Sequence, residues 1–240
     1  MTLSAVNTPI EITPIGHIRS PYKQKFAIPR QPRLVDTAKA QLVLDAPFNN
    51  EEFIRGIEEF SHIWVLFRFH ETADKGYSAL VRPPRLGGNA RKGVFATRAT
   101  FRPNAIGMSA VQLLGVECKG QKVVLHLGGV DLLDGTPVVD IKPYLPYSDA
   151  LTHASAGFAD TRPQTHMTVS FSDEALAFIA KTDPELELHT FITQVLQQDP
   201  RPAYKKNKDG VQSYGMTLYD FNIRWHVDGE HNHVEQITAL

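Results

Sequence analysis

The chain has a single cysteine, Cys118, in 240 residues, which excludes an internal disulfide. Cys118 falls in a strand-like run (VECKG), so a buried or half-buried, inert thiol is expected rather than a nucleophile. Long apolar runs are also missing. Ile63-Trp64-Val65-Leu66-Phe67 is typical in length, far from the roughly 20 residues a membrane helix needs. The N-terminal MTLSAVNTPIEITPIG has neither the basic start nor the apolar stretch of a signal peptide, and the expectation is a cytoplasmic protein with no membrane partner. Nucleotide-binding signatures are absent too. No G-x-x-x-x-G-K-[ST] loop occurs, and Gly87-Gly88-Asn89 does not sit in a G-x-G-x-x-G frame after a strand. A nucleotide-like cofactor would therefore need a scaffold other than a Rossmann sheet. The ten histidines show no ligand spacing, and His226, His231 and His233 cluster only in the C-terminal tail, so no metal is assigned.

The most telling absence is local. Between Lys75 and Val116 there is no acid, although an even spread of the chain's 26 acids would put four or five there. Seven basic residues fill the same stretch: Lys75, Arg82, Arg85, Arg91, Lys92, Arg98 and Arg102. The segment is +7 while the rest of the chain sums to −8, for a formal net charge of −1. Ordinary surfaces intersperse both signs, so this concentration points to an anion more than to simple solvation of a barrel exterior. Glycines and prolines make the backbone irregular where the charge is densest, as binding loops tend to be. Phe95 and Phe101 are interleaved with the arginines, a composition that suits single-stranded RNA, although Phe95 is expected in the core.

At 42% hydrophobic the chain can bury one large core or two modest ones. Short strand-like pieces dominate the first part: Ile10–Ile18, Gln41–Leu44, His62–Phe69, Val94–Thr97, Ala110–Glu117, Val123–Leu127 and Pro137–Ile141. The nearly continuous apolar run 123–127 predicts burial on both faces. One helix is expected over EEFIRGIEEF, capped by Asn49 or Asn50, with Phe53, Ile54, Ile57 and Phe60 on one face. The fold class is thus mainly β: a small N-terminal β-barrel over residues 1–150, a linker over 151–165, and a smaller α+β C-terminal domain over 166–240. In that second unit Ser172 caps one helix, Asp183-Pro184-Glu185 starts another running to about Gln198, and strands follow over Gln212–Tyr219, Phe221–Val227 and His233–Thr238.

Two further features carry chemistry. Leu133-Asp134-Gly135-Thr136-Pro137 reads as a turn, with Asp-Gly for positive φ and Pro to set the exit. It reads equally well as exposed backbone that grips a polar ligand end. Ser20 to Arg33 is a basic, irregular loop after the first strand, either a binding lip or an oligomer contact.

Taken together, PYKQKFAIPRQP, FSHIWVLFRFH, VRPPRLGGNARKGVFATRATFRPN and VDLLDGTPVVDIKPYLPY closely resemble the TsaA-like (YaeB, TrmO) tRNA methyltransferases. DPRPAYKK followed by YDFNIRW resembles the extension of the longer bacterial members. The resemblance implies S-adenosylmethionine bound on a small β-barrel, and methylation of N6 of threonylcarbamoyl-adenosine beside the anticodon of threonine tRNA. It also implies a homodimer with the cofactor near the subunit boundary. It assigns cofactor contacts to Pro29, Arg30, Gln31, His70, Glu71, Arg98, Met108, Leu133, Asp134, Gly135 and Thr136. One departure is Ala105, where the family has proline in RPNAIG. Alternatives are a non-enzymatic RNA-binding barrel and a small-molecule methyltransferase.

The chemistry sets further expectations. The cofactor's sulfonium is cationic, so a basic wall needs balancing acids, for which Asp134 and Glu71 are candidates. Arg98 or Arg30 suits the cofactor carboxylate. The weakly nucleophilic N6 must lose a proton, and Asp134 is the candidate base, with His70 second. Asp140 reads equally as a structural strand residue. Arg85, Arg91 and Lys92 are expected on RNA phosphates, and Arg201, Tyr204, Lys205, Lys206 and Lys208 form a second RNA patch.

Overall fold

The computed structural model describes residues 9–86, 89–163, 166–201 and 210–240. Six strands close into an antiparallel barrel: β1 (Gly16–Arg19), β2 (Lys39–Leu44), β3 (His62–Arg68), β6 (Ile106–Lys119), β7 (Lys122–Gly128) and β8 (Pro137–Pro143), in the order β1-β2-β7-β6-β3-β8. Between β3 and β6 the chain forms a short helix α1 (His70–Ala73) and a two-stranded ribbon of β4 (Leu80–Val81) and β5 (Lys92–Gly93). A second short helix, α2 (Pro146–Asp149), follows β8.

The barrel follows from period-2 alternation. Ala40, Leu42 and Leu44 point inward from β2, Ile63, Val65 and Phe67 from β3, and Gly107, Ser109, Val111 and Leu113 from β6. In β7, Val123, Val124, Leu125 and Leu127 are all buried, as the continuous apolar run predicts. Gly107 is required by close approach, since a Cβ there would lie 2.4 Å from Phe67 Cζ and 2.8 Å from Phe69 Cζ.

The second unit is a four-stranded sheet in the order β10 (Gln212–Leu218), β11 (Phe221–Asp228), β12 (His231–Ala239), β9 (Thr168–Phe171). β10, β11 and β12 form an antiparallel meander, and β9 adds parallel to β12. Helices α3 (Asp173–Ile179) and α4 (Leu188–Gln197) accompany it. Ser172 caps α3, its hydroxyl accepting from Ala175 N at 3.1 Å. Helix α4 buries Leu188, Phe191, Ile192, Val195 and Leu196, the i, i+3, i+4, i+7, i+8 stripe of a core-facing helix.

The two units share one core. Buried residues of the barrel and of the C-terminal sheet form a single hydrophobic cluster. At the junction, the Tyr22 and Phe191 ring centroids lie 5.9 Å apart, and Phe191 and Tyr219 lie 5.2 Å apart. Tyr219 N donates to Pro21 O at 2.9 Å, and Thr37 Oγ1 donates to Gln194 Oε1 at 2.9 Å. Among the described residues, no helix is long and apolar enough to cross a membrane.

Several local expectations are corrected. The segment 51–60 is two 3-10 turns, Glu51–Ile54 and Ile57–Glu59, separated by Gly56 at φ 84, which leaves Phe53 64% exposed. Asn50 is the cap, accepting from Glu52 N. Val94–Ala96 is a 3-10 turn rather than a strand, and Phe95 is 78% exposed rather than core. Of the first expected strand, Ile10–Ile18, only Gly16–Ile18 falls in a strand, β1. Glu187, at φ 45, splits the second C-terminal helix into a 3-10 turn and α4. Cys118 is exposed, because it lies at the outer end of β6, beyond the barrel wall's covered face.

Candidate active site

A cleft of about 2360 Å³ runs between the basic loops and the second unit. Arg82, Arg85, Arg98, Phe95 and Phe101 contribute from the acid-free stretch, and Arg30 and Gln31 from the loop after β1. Acids enter only from the other walls, among them Asp36, Asp160 and Asp199. The exposed rings of Phe95 and Phe101 therefore share the cleft with guanidinium groups, a composition that suits stacking of bases.

The structure joins three of the expected cofactor contacts by hydrogen bonds. Arg98 Nη1 donates to Gln31 Oε1 at 2.7 Å, and Gln31 Nε2 donates to Arg30 O at 2.5 Å. Pro29 is buried beneath them. Arg102 knits the same loop internally, donating to Thr97 O at 3.1 Å and to Ala99 O at 3.2 Å. Ala105 adopts φ 49, and its N–H donates to Arg102 O at 3.0 Å; proline could do neither.

The turn after β7 holds the remaining contacts. Gly135, at φ 74, donates its N–H to Ile18 O at 2.8 Å, and Thr136 Oγ1 donates to Leu133 O at 2.7 Å. Asp134 is a clamp. One carboxylate oxygen accepts from Ser20 N at 2.8 Å and the other meets Lys23 Nζ at 2.9 Å. With both oxygens engaged and its charge neutralised, Asp134 is poorly placed as a free base or as a spare counter-charge. His70 and Glu71 sit in α1, with His70 Nε2 4.0 Å from Glu71 Oε1, and Glu71 is exposed. Phe69 N donates to Ala105 O at 2.8 Å, which ties α1 to the end of the basic loop. Met108 projects from the outer face of β6 and is 51% exposed. His70, Glu71, Met108 and the Leu133–Thr136 turn do not line the cleft.

Sequence reasoning missed Asp131. Its neighbours Val130 and Leu132 are buried, and Asp131 itself is half-buried with Oδ1 withdrawn from solvent and without a hydrogen-bond partner. Burial pushes its carboxyl up to about 6, against the lowering influence of the Ser109 hydroxyl, its own backbone N–H and the Arg98 guanidinium. The Tyr22 hydroxyl is likewise buried and unpartnered, and burial raises it well above the ordinary tyrosine range, with Tyr219 and Asp131 adding to the rise.

Among the residues expected on RNA, Arg91 and Lys92 are exposed and Arg85 donates to Thr161 Oγ1 at 2.7 Å. Arg201 lines the cleft but is 8% exposed, and its Nε donates to Asp199 Oδ1 at 2.7 Å. Tyr204, Lys205, Lys206 and Lys208 lie outside the described residues. Asp140 meets Lys142 Nζ at 3.0 Å and its own strand neighbour Ile141 N at 2.9 Å, a structural role.

This combination of barrel, basic cleft and turn matches known proteins along its length. Residues 17–150 match the tRNA-methyltransferase O N-terminal domain and residues 164–240 the TrmO C-terminal domain. The chain belongs to the TrmO family. The Escherichia coli (strain K12) tRNA (adenine(37)-N6)-methyltransferase is 56% identical over 216 residues, covering 89% of this chain and 91% of that protein. A Pseudomonas aeruginosa relative named for dependence on S-adenosylmethionine is 48% identical over 217 residues, covering 90% and 91%. The crystal structure of TrmO from Pseudomonas aeruginosa superposes with a TM-score of 0.79 at 40% identity, covering 97% of this chain and 99% of that one.

Proposed function

We propose that this TrmO family member transfers a methyl group from S-adenosylmethionine to N6 of adenine 37 in tRNA, the activity named for its Escherichia coli relative. The substrate base is the threonylcarbamoyl-adenosine beside the anticodon of threonine tRNA. The observation that carries the reading is the cleft itself, where exposed Phe95 stands among Arg82, Arg85 and Arg98 with the Arg98–Gln31 pair at its edge.

The residues present fit the methyl donor. An exposed guanidinium at Arg98 suits a carboxylate, the space a Cβ would take at Gly135 is free of atoms within 4 Å, and an unpartnered carboxylate oxygen lies at Asp131. When bound, S-adenosylmethionine supplies an electrophilic methyl carried on a sulfonium. The protein's own contribution is alignment, charge and proton handling. Arg98, held by Gln31, takes the carboxylate end. The Leu133–Thr136 turn, fixed to the first strand by Asp134 and Gly135, offers backbone groups for the nucleoside end. His70, backed by Glu71, accepts the N6 proton, a role Asp134 cannot fill while it holds Ser20 and Lys23. Arg91, Lys92 and Arg82 neutralise anticodon-loop phosphates, where bases are already largely unpaired.

The same reading makes the protein a cytoplasmic homodimer. Exposed Met108, Leu80 and Tyr77, apolar and close to the site in sequence, support a subunit boundary there, which would also gather His70 and the turn with the cleft. The test is mass analysis of threonine-tRNA nucleosides from cells with and without this gene. The N6-methyl mark on threonylcarbamoyl-adenosine is expected to vanish without it; persistence of the mark contradicts the proposal. A non-enzymatic RNA-binding barrel predicts no thermal stabilisation by S-adenosylmethionine.

A further inference from the structure

A cationic methyl donor in a basic neighbourhood needs a counter-charge, and the expected ones are committed or remote. Asp134 already meets Lys23 at 2.9 Å, and Glu71 is exposed beside His70. Asp131 is different. It occupies the stretch between β7 and the Leu133–Thr136 turn, senses Arg98, and has an oxygen shut off from solvent with no partner. No direct ion pair joins it to any described cation. The groups facing it are the Ser109 hydroxyl from β6, the Tyr22 hydroxyl from the loop after β1, and Arg98 from the basic loop. Withdrawing a carboxylate oxygen from water without a partner is costly, and an acid so held two residues before the Leu133–Thr136 turn is a functional candidate.

We propose that Asp131 is the charge-discriminating residue of the cofactor site, favouring the sulfonium-bearing donor over its neutral thioether product. The inference rests on the methyltransferase reading above. Methyl transfer forms the N6–carbon bond as the carbon–sulfur bond breaks with its electron pair on sulfur, and the N6 proton leaves to His70 or water. The donor thereby loses the one positive charge that distinguishes it from S-adenosylhomocysteine. A fixed negative charge in a partly desolvated site attracts only the former. Arg98 meanwhile binds the carboxylate that both share, so the two residues separate retention from discrimination.

The sign of the pH dependence follows. A bound cation stabilises the carboxylate form of Asp131, so preference for the donor is full above about 6 and fades as the acid is protonated below it. Carboxyl and amino groups of the ligands titrate outside that window.

The test is calorimetric titration of the full-length protein with S-adenosylmethionine and S-adenosylhomocysteine at several pH values, with Asp131→Asn and Ser109→Ala as variants. Asp131→Asn is expected to weaken the donor about tenfold and the product less than about twofold, with no lowering of the thermal midpoint. The donor preference of the wild type should collapse on acidification, that of Asp131→Asn should stay flat, and Ser109→Ala should move the collapse to higher pH. Equal weakening of both ligands, or of neither, overturns the proposal. Should Asp131→Asn fail to fold, a preference in Ser109→Ala that collapses at the wild-type pH overturns it as well. A wild type that binds neither ligand sinks the methyltransferase reading itself, a distinguishable outcome.

Discussion

The basic stretch 75–116 and the acid-bearing turn 131–136 treat charge in opposite ways. In the first, seven cations stand without an acid among them, and all of these but Arg102 are exposed. In the second, Asp134 is clamped by Lys23 and half-buried Asp131 keeps one oxygen shut off from water. Exposed charge is suited to a long, flexible polyanion whose counterions can be released. Withdrawn charge is screened less, so it acts strongly on a small ligand that excludes water beside it. Arg98 belongs to both regions, exposed on the cleft yet sensed by Asp131.

Breaking that shared residue should have the largest effect. Arg98→Ala is expected to weaken S-adenosylmethionine roughly ten- to a hundredfold, the worth of a lost charge-assisted hydrogen bond, in a direct titration. Asp134→Ala comes next. Freeing Ser20 N and Lys23 should cost about 1–3 kcal/mol in denaturant unfolding and loosen the turn. Asp131→Asn runs the other way. Because the folded-state carboxyl is raised from 3.8 to about 6, the wild type carries a penalty that is complete above the folded value and gone below the unfolded one. The variant should therefore gain on the order of 1 kcal/mol at neutral pH, and the gain should disappear as pH falls below about 4, read by thermal unfolding. Equal stabilities at all pH values would mean that Asp131 is ordinary surface charge. The smallest effect is expected of Arg91→Ala with Lys92→Ala: fold and stability unchanged, and the salt slope of tRNA binding reduced by roughly one to two units.

The regular half of the molecule was readable in the sequence. Strands β2, β3 and β7 announce themselves because one or both faces are enclosed by the barrel and the residue pattern must obey. The misreadings lie where pairing is non-local or absent. Val94–Ala96 has strand composition, but its hydrogen bonds are local, Thr97 N donating to Val94 O, and the apolar Phe95 is left in the cleft. Strand β9 was hidden because its partner, β12, is some sixty residues away, as in Asn232 opposite Val169. The candidate site was half legible. Arg98 and Gln31 are 67 residues apart in sequence and meet at 2.7 Å; the family resemblance, not spacing, paired them. Asp131 was invisible for a physical reason: it lies outside any strand, between β7 and the Leu133–Thr136 turn, and the groups near it, inward-facing Ser109 and core Tyr22, come from distant parts of the chain.

On this reading the protein keeps the phosphate-facing cations Arg91 and Lys92 apart from the cofactor-facing Arg98 and Asp131. Measuring the cofactor and tRNA affinities of the Arg91→Ala, Lys92→Ala double variant side by side probes that separation. Weakened tRNA binding is expected, with S-adenosylmethionine affinity held within about twofold of wild type. A parallel loss of both affinities would show instead that the two regions are one electrostatic site.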